Sequence, residues 1–266
     1  MNACLERFGS LFDLQGRVAV VTGAAQGNGS AISNALVAAG ADVVAVDLAF
    51  RLNGADTQLN EEITDRIIMD VSNEENVKAV FENIVARYGH LDILVNNAGI
   101  MYKAPVDKLD IDKFRSVLDV NLNGVVICTK QAVSYMKQQR WGRIVNISSS
   151  QAYLCTETYS AYSASKAAVS HLTRIWGREL APYNVLVNAL CPSFVMTPMM
   201  AGSIDRIQKE KLCSWDEAYN YFAQEIPLKR IMDTEEVGNW AVVLCSDLAR
   251  ATTGNNFAIT CGQVSL

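Results

Sequence analysis

Residues 18–47 read VAVVTGAAQGNGSAISNALVAAGADVVAVD: an apolar run, a glycine-rich turn, an alanine-rich stretch and a second apolar run. Residues 18–21 are apolar at every position and mostly β-branched, which is typical of a strand buried on both faces. Residues 30–39 are rich in Ala, Leu and Ile and stop at Gly40, as a helix with a glycine terminator does. Residues 43–46 are the second apolar run. A strand, a helix and a strand within about thirty residues predict a βαβ unit.

The same alternation continues along the chain. Further strands are predicted at 67–69, 93–95, 143–147, 185–188 and 256–260. Helices are predicted at 74–88, 112–137, 160–180 and 235–244, whereas residues 193–232 have no clean period. About seven strands separated by helices, without a linker or repeat, predict an α/β fold. We expect a single domain over residues 1–266, with a Rossmann-like, doubly wound parallel β-sheet flanked by helices. Ligands of such sheets bind beyond the carboxyl ends of the strands.

The composition argues against several function classes. Half of the residues are hydrophobic, the formal net charge is −5 and no run of eighteen apolar residues occurs, so we expect neither a nucleic-acid partner nor a membrane span. The first fourteen residues carry charges and lack an apolar signal core, which predicts a cytoplasmic protein. The seven cysteines form no Cys-x-x-Cys pair and only two histidines occur, so we expect reduced thiols and no metal site.

The turn at residues 22–29 has the composition of a dinucleotide-binding loop. Glycines let the backbone turn tightly and approach a diphosphate, and the start of the following helix attracts its negative charge. Inside a βαβ unit this pattern predicts cofactor contacts from Gly23, Gln26, Gly27, Asn28 and Gly29.

Asp47 closes the second predicted strand about twenty residues beyond the glycines. A carboxylate there can accept hydrogen bonds from both hydroxyls of the adenine ribose and would repel a 2′-phosphate. No basic residue follows Asp47 immediately, although Arg51 is four residues further on. The alternative is that Asp47 merely ends a strand. The sequence favours NAD as the cofactor over NADP.

Tyr162 and Lys166 lie four residues apart, and therefore on one face of the helix predicted at 160–180. Hydride can leave a carbinol carbon only as the hydroxyl proton is removed, so a base that works near neutral pH is needed. A free tyrosine, with a pKa of about 10, is too weakly ionised at pH 7, but a nearby ammonium lowers that pKa. A single Tyr-x-x-x-Lys pair is also common by chance as a solvated helical pair, so its meaning depends on the surrounding motifs.

Five ordered motifs give residues 14–262 a resemblance to the classical short-chain dehydrogenase/reductase family. They are Thr-Gly-x-x-x-Gly-x-Gly at 22–29, Asn-Asn-Ala-Gly at 96–99, a helical Asn121, Ser149 thirteen residues before the tyrosine, and Tyr162 with Lys166. The resemblance implies hydride transfer between nicotinamide and a small-molecule secondary alcohol or its ketone.

The resemblance also implies a role for each motif. Tyr162 would transfer the proton, Lys166 would also hold the nicotinamide ribose, Ser149 would bind the substrate oxygen and Asn121 would position a water molecule. Further cofactor contacts are expected from Asp70, Val71, Asn96, Asn97, Ala98, Gly99, Val195 and Thr197.

Three departures from the family pattern concern the same site. Asn28 stands where the family usually has Ile or Leu, Ser193 stands in place of a glycine, and residues 260–262 read Thr-Cys-Gly instead of Asp-Gly-Gly. We expect the Asn28 amide to form a local hydrogen bond. Substrate specificity is expected from Met101, Ser150, Gln151, Tyr153, Tyr159, Ser193, Phe194 and the stretch after Met199.

One segment of the sequence predicts a moving part of the protein, and two predicted helices indicate assembly with further copies of the chain. Residues 193–232 mix aromatic, methionine and charged side chains, which predicts short amphipathic helices forming a mobile lid, with a permanently docked helical pair as the alternative. The helices at 112–137 and 160–180 carry apolar residues beyond one stripe and resemble those through which family members pair. We therefore expect a homo-tetramer or homo-dimer, unless these residues simply pack on the sheet.

Two other functions stay open on the sequence. An NADPH-dependent ketoreductase of the same fold would differ only in cofactor and direction. A non-catalytic NAD-binding regulator would be expected if Tyr162 or Lys166 were missing, and both are present. A hydrolase is disfavoured, because the sequence has no Gly-x-Ser-x-Gly elbow.

Overall fold

A computed structural model describes residues 9–51, 59–63 and 65–264. The strands are β1 Val18–Thr22, β2 Asp42–Val46, β3 Asp65–Ile67, β4 Ile93–Asn96, β5 Gly142–Ile147, β6 Val185–Pro192 and β7 Asn256–Ile259. All pair in parallel, in the order β3-β2-β1-β4-β5-β6-β7. The predicted doubly wound sheet is confirmed. Its strand order reverses between β1 and β4, and a crevice at such a reversal is where these sheets bind ligands.

The α-helices lie on both faces of this sheet. They are α1 Gly27–Ala38, α2 Glu74–Tyr88, α3 Ile111–Leu118, α4 Gly124–Gln139, α5 Ser160–Leu180, α6 Pro198–Lys211, α7 Trp215–Ala223 and α8 Thr234–Cys245. A π-helical segment, Asp119–Asn123, joins α3 to α4. Short 3₁₀ turns occur at Ser10–Phe12, Leu48–Arg51, Val106–Lys108, Ser150–Ala152, Ala181–Tyr183 and Asp247–Ala249.

Strand alternation divides the core into two layers. In β1, Ala19 and Val21 belong to the layer that packs against α1 and α8, while Val18 and Val20 belong to the layer against α2 and α4. Because successive strand residues point to opposite faces, each layer receives every second side chain of β1. All five β1 residues are buried, as the sequence predicted.

Some element bounds differ from the prediction. The helix predicted at 30–39 begins earlier, at Gly27, and the strand predicted at 67–69 lies at Asp65–Ile67. The helix predicted at 112–137 is not one α-helix, since the π-helical segment interrupts it. The strand predicted at 185–188 continues to Pro192.

Residues 193–232 are more regular than the sequence indicates. They contain α6 and α7, whose inner faces form a separate apolar cluster with Ile231. The cluster consists of Met200, Ile204, Ile207, Ala218, Phe222 and Ile231. The short amphipathic helices are therefore present, and their mobility stays a prediction.

The described residues contain no helix long and apolar enough to span a membrane. Six of the seven cysteines lie in the described ranges and all six are free thiols. Cys4 and the side chain of Arg51 lie outside the described part of the chain.

Candidate active site

A cavity of about 430 Å³ lies at the carboxyl ends of the strands. Segments that follow six of the strands, β1 to β6, build its wall together with α5. Most of the site residues expected from the sequence line it: Gly23, Gln26, Gly27, Asn28, Asp47, Asp70, Val71, Asn97, Ala98, Gly99, Ser149, Tyr162, Lys166, Val195 and Thr197. The fold therefore collects residues that are distant in sequence onto one surface.

The segment after β4 holds the glycine-rich turn in place. Asn97 Nδ2 donates to the carbonyl oxygens of Thr22 and Gly23, both at 3.0 Å. The Thr22 hydroxyl oxygen accepts from the backbone N–H groups of Asn97 and Ala98, also at 3.0 Å. Gly29 lies behind the turn, where an added Cβ would be 2.0 Å from the Gly23 carbonyl oxygen. Gly29 packs against the turn and does not line the cavity, and the cofactor contact expected of it stays a prediction.

Asp47 reaches the cavity wall from the end of β2. Its Oδ2 accepts from the Ala25 N–H at 3.0 Å, and its Oδ1 accepts from the Ala49 N–H at 2.8 Å. These two hydrogen bonds fix the carboxylate beside the glycine-rich turn. A negative charge is therefore held at one end of the cavity.

Asn96, of which a ribose contact is expected, does not line the cavity. Its Nδ2 donates to Thr129 Oγ1 at 3.1 Å and to Asn146 Oδ1 at 2.8 Å, and the residue is 3% exposed. Asn96 is the last residue of β4, and adjacent strand residues point in opposite directions. Asn97, the next residue, is the one on the wall.

Ser149, Tyr162 and Lys166 meet at the other end of the cavity. Ser149 follows β5, and Tyr162 and Lys166 lie one turn apart on α5. Lys166 Nζ lies 5.7 Å from the centre of the Tyr162 ring and donates to the Ile147 carbonyl oxygen at 2.7 Å. The ammonium is 4% exposed and is held between the phenol and the end of β5.

Burial shifts the pKa of Tyr162 and the pKa of Lys166 in the directions that favour the neutral form of each side chain. It raises the pKa of the Tyr162 phenol, and a hydrogen bond with Ser149 opposes this in part. It lowers the pKa of Lys166 to about 8. The direction is opposite to the lowering expected from Lys166, because desolvation of the phenol is the largest cause of the shift. The site thus holds a neutral phenol beside an ammonium that loses its proton easily.

Asn121 lies in the π-helical segment, and its side chain is fully buried behind the cavity wall. Its Oδ1 accepts from the Ile100 N–H at 2.8 Å, and its Nδ2 donates to the Ile100 carbonyl at 3.0 Å and to Ser165 Oγ at 3.2 Å. Asn121 therefore ties the segment after β4 to α5. π-helical turns occur frequently at functional sites, where they redirect one side chain.

Ser148 is a functional position that sequence reasoning passed over. Its hydroxyl donates to the Lys166 carbonyl oxygen at 2.9 Å and lies 2.8 Å from Ser170 Oγ. The end of β5 is thereby fastened to the turn of α5 that carries Lys166. Only its place beside Ser149 could have indicated this role.

The substrate end of the cavity is mostly apolar. Most of the expected specificity residues line it: Met101, Ser150, Gln151, Tyr159, Ser193, Phe194 and, from the stretch around and after Met199, Met199, Met200, Ser203 and Phe222. Ile100, which the sequence did not single out, lines it as well. Tyr153, the remaining residue of the expected set, does not line the cavity. Phe222 comes from α7, so the segment at 193–232 closes one side of this end.

Comparison with known proteins assigns the family. Residues 23–263 match the family model described as Enoyl-(Acyl carrier protein) reductase. The 3-oxoacyl-[acyl-carrier-protein] reductase FabG of Thermotoga maritima is 36% identical over 256 residues, which are 94% of this chain and 99% of the relative. The chain belongs to the classical short-chain dehydrogenase/reductase family.

Two further members of this family are similar over comparable lengths. The 2-dehydro-3-deoxy-L-rhamnonate dehydrogenase (NAD(+)) of a Sphingomonas species is 33% identical, over 94% of this chain and 96% of that protein. The solved structure of the aldohexose dehydrogenase of Thermoplasma acidophilum, in ligand-free form, superposes with a TM-score of 0.84 and 32% identity, over 95% of this chain and 98% of that one. These proteins share the family fold and differ in the substrates they are named for.

The departures from the family pattern have distinct structural consequences. Ser193 Oγ donates to the Thr260 carbonyl oxygen at 3.2 Å, so two of the unusual residues contact each other. The third, Asn28, has a buried Oδ1 without a hydrogen-bond partner among the described residues. This oxygen therefore does not form the local hydrogen bond that was expected of the Asn28 amide.

The cavity fits the dinucleotide that this family uses. Helix α1 begins without a side-chain cap, and a helix start of this kind attracts a diphosphate. Gly27 has a φ of +58°, and an added Cβ would lie 3.2 Å from Thr197 Cγ2, so a glycine keeps the cradle open. Asp47 at one end can accept hydrogen bonds and Lys166 at the other can donate one, which suits the two riboses of such a cofactor.

Proposed function

We propose that the protein is an NAD-dependent oxidoreductase that transfers a hydride between nicotinamide and a secondary alcohol or its ketone. Tyr162 acts as the acid or base, and Ser149 and Lys166 support it. The observation that carries the proposal is the shared wall: Ser149, Tyr162 and Lys166 line the same cavity as the glycine-rich turn and Asp47. A proton-transfer group and a dinucleotide cradle on one surface are what this reaction requires.

The choice of NAD rests on Asp47. Its carboxylate has both oxygens fixed by backbone N–H groups and faces the cavity. The two oxygens keep further lone pairs that can accept hydrogen bonds from ribose hydroxyls, whereas a 2′-phosphate would meet a like charge. The name of the Sphingomonas relative, which specifies NAD(+), agrees with this choice.

The proton follows a short path in the proposed mechanism. When bound, the nicotinamide supplies or accepts the hydride. During alcohol oxidation, the Tyr162 phenolate oxygen takes the hydroxyl proton of the substrate, and during ketone reduction the phenol returns it to the carbonyl oxygen. Ser149 Oγ donates a hydrogen bond to the same substrate oxygen and holds it against Tyr162. Charge that develops on this oxygen is stabilised by both hydroxyl groups.

Lys166 and Asn121 support this proton transfer without taking part in it directly. The Lys166 ammonium stabilises the Tyr162 phenolate and donates to a cofactor ribose, while its bond to the Ile147 carbonyl keeps it in position. Asn121 holds the Ile100 backbone at the edge of the cavity and positions a water molecule in the proton path. Both assignments follow the family motifs matched at these positions.

A second candidate function is that of a ketoreductase, which reduces a ketone to the alcohol and takes the hydride from NADPH. It is favoured by the raised pKa of Tyr162, because the protonated phenol is the form that reduction needs. Relatives named as 3-oxoacyl-[acyl-carrier-protein] reductases agree with this direction.

Turnover of a substrate panel tests the proposed function. Sugars, polyols, hydroxy acids and cyclic alcohols are offered with NAD or NADP at pH 9, and the matching ketones with NADH or NADPH at pH 7. Absorbance of the reduced nicotinamide should change with at least one pair, faster with NAD or NADH. If no panel member reacts while NADH still binds, the non-catalytic NAD-binding alternative replaces the proposal.

We also propose assembly into a homo-tetramer or homo-dimer in the cytoplasm. Among the apolar residues of the helices predicted at 112–137 and 160–180, Val117, Val125 and Val169 are buried within the chain. Ile175 on α5 and Val126 on α4 remain 46% and 37% exposed. Exposed apolar side chains on two long helices favour contact with a second copy.

A further inference from the structure

Gln151 occupies a special position on the cavity wall. It is the second residue of the 3₁₀ turn Ser150–Ala152, directly after Ser149, and is only 7% exposed. Its backbone N–H donates to Ser149 Oγ at 3.1 Å. The side chain lines the cavity beside the hydroxyl that is proposed to hold the substrate oxygen.

The side-chain amide of Gln151 forms no hydrogen bond within the described residues. Its Oε1 is fully buried and has no partner. Two other buried polar side chains near the reacting groups are bonded, namely the Asn121 amide and the Ser148 hydroxyl, whereas the Asn28 oxygen at the glycine-rich turn is also unpaired. Leaving a buried amide unpaired destabilises a protein, so such a group is expected to have a partner that arrives with a ligand.

The neighbouring wall explains why this amide matters for recognition. Met101, Phe194, Met199, Met200 and Phe222 make the substrate end mainly apolar. Ser193, which also lines this end, already donates its hydroxyl to the Thr260 carbonyl. Gln151 therefore offers an uncommitted amide next to Ser149, at an end of the cavity whose wall is mainly apolar.

We propose that Gln151 binds a second hydroxyl of the substrate, on the carbon next to the one that is oxidised. Its amide accepts from, or donates to, that hydroxyl while Ser149 and Tyr162 hold the reacting oxygen. The substrate class is then a vicinal diol or the matching hydroxy ketone, not a plain secondary alcohol. This inference rests on the proposed function, because it places the reacting carbon beside Ser149 and Tyr162.

Matched alcohols measure this recognition. The probes are cis-1,2-cyclohexanediol against cyclohexanol and 2,3-butanediol against 2-butanol, each with NAD. The wild-type protein should use the diols roughly tenfold more efficiently in kcat/KM, as expected for one hydrogen bond to a buried amide. Gln151→Leu keeps the size of the side chain and removes the amide, so it should bring this ratio to about one. Gln15→Leu makes the same change at an exposed position far from the cavity and should keep the wild-type ratio.

Thermal unfolding gives a second readout that needs no turnover. Without ligands, Gln151→Leu should melt at a higher temperature than the wild type, because it removes an unpaired buried amide. With NADH present, 1,2-cyclohexanediol should raise the melting temperature of the wild type more than cyclohexanol does, and this difference should vanish in Gln151→Leu.

The outcomes separate the two proposals. One outcome is a rise in melting temperature that is specific for the diol and is abolished by Gln151→Leu, without turnover of any probe. It would support the proposed binding of a second hydroxyl and overturn the oxidoreductase function. A lower melting temperature for ligand-free Gln151→Leu means that the amide serves the fold, and overturns the recognition. Equal responses to diol and plain alcohol, or no response to either, overturn it as well.

Discussion

Asp47 offers a quantitative test of cofactor choice. Its carboxylate is half-buried on the cavity wall, with one oxygen bonded to the Ala25 N–H and the other to the Ala49 N–H. A 2′-phosphate about 4 Å away would be repelled by about 1 kcal/mol at the dielectric of water and about 4 kcal/mol near a protein surface. These energies correspond to a preference for NAD between ~5-fold and ~1000-fold. Asp47→Asn removes the charge and keeps one carbonyl acceptor, so most of this preference should disappear.

The assay compares kcat/KM for NAD and NADP with one substrate at constant ionic strength. Asp47→Ala should also relax the preference, and it should melt earlier because two backbone N–H groups lose their acceptor. Asp42→Asn is the matched control, since Asp42 is exposed at the opposite end of the same strand. Comparable efficiency with NAD and NADP in the wild-type protein would refute the reasoning, as would an unchanged preference in Asp47→Asn.

Three further predictions concern Lys166, assembly and the segment at 193–232. The pKa of Lys166 is lowered to about 8 from 10.5, so the unfolded chain binds more protons between these values and stability should rise with pH across that window. Lys166→Met should weaken this rise in urea-unfolding midpoints measured at pH 7.5 and 9.5, and it should reduce both turnover and NADH affinity. Light scattering at micromolar concentration should give a dimer or tetramer, and Ile175→Asp should lower that mass, whereas a wild-type monomer would contradict the proposed assembly. Hydrogen exchange at 193–232 should be fast without ligands and slow with NADH plus a substrate analogue, while strong protection in both states would favour a docked helical pair.

Local signals explain why some elements were predicted to the residue. Helix α2 begins after Asn73, whose side chain accepts from the Asn76 N–H, and ends at Gly89 with a φ of 83°. The capping asparagine and the terminal glycine are short-range signals that can be recognised in the sequence alone. The π-helical segment could not be predicted in this way. Its Asn121 bonds to Ile100, twenty-one residues away, and that partner is set by tertiary contact and not by periodicity.

The same difference between short-range signals and tertiary contacts separates the site residues that the sequence predicted from those that it did not. The motifs located the glycine-rich turn, Asp47, Ser149, Tyr162 and Lys166, because each follows a strand or occupies a fixed helix position. They did not separate Asn96 from Asn97, since which of two adjacent side chains faces the cavity depends on where β4 ends. The sequence could not predict that the Gln151 amide oxygen lacks a hydrogen-bond partner, because this can be recognised only when the neighbouring atoms are known.

Tyr162→Phe is the measurement that tests the central claim most directly, because it removes only the oxygen that is proposed to carry the proton. Turnover should fall about 100-fold or more, the usual contribution of general acid–base catalysis. The dissociation constant for NADH, from fluorescence titration, should stay close to the wild-type value, since the rest of the cavity is unchanged. Tyr183→Phe, in a distant 3₁₀ turn, should leave both quantities unaffected. A Tyr162→Phe variant that retains a tenth or more of the wild-type rate would place the acid or base elsewhere and contradict the account.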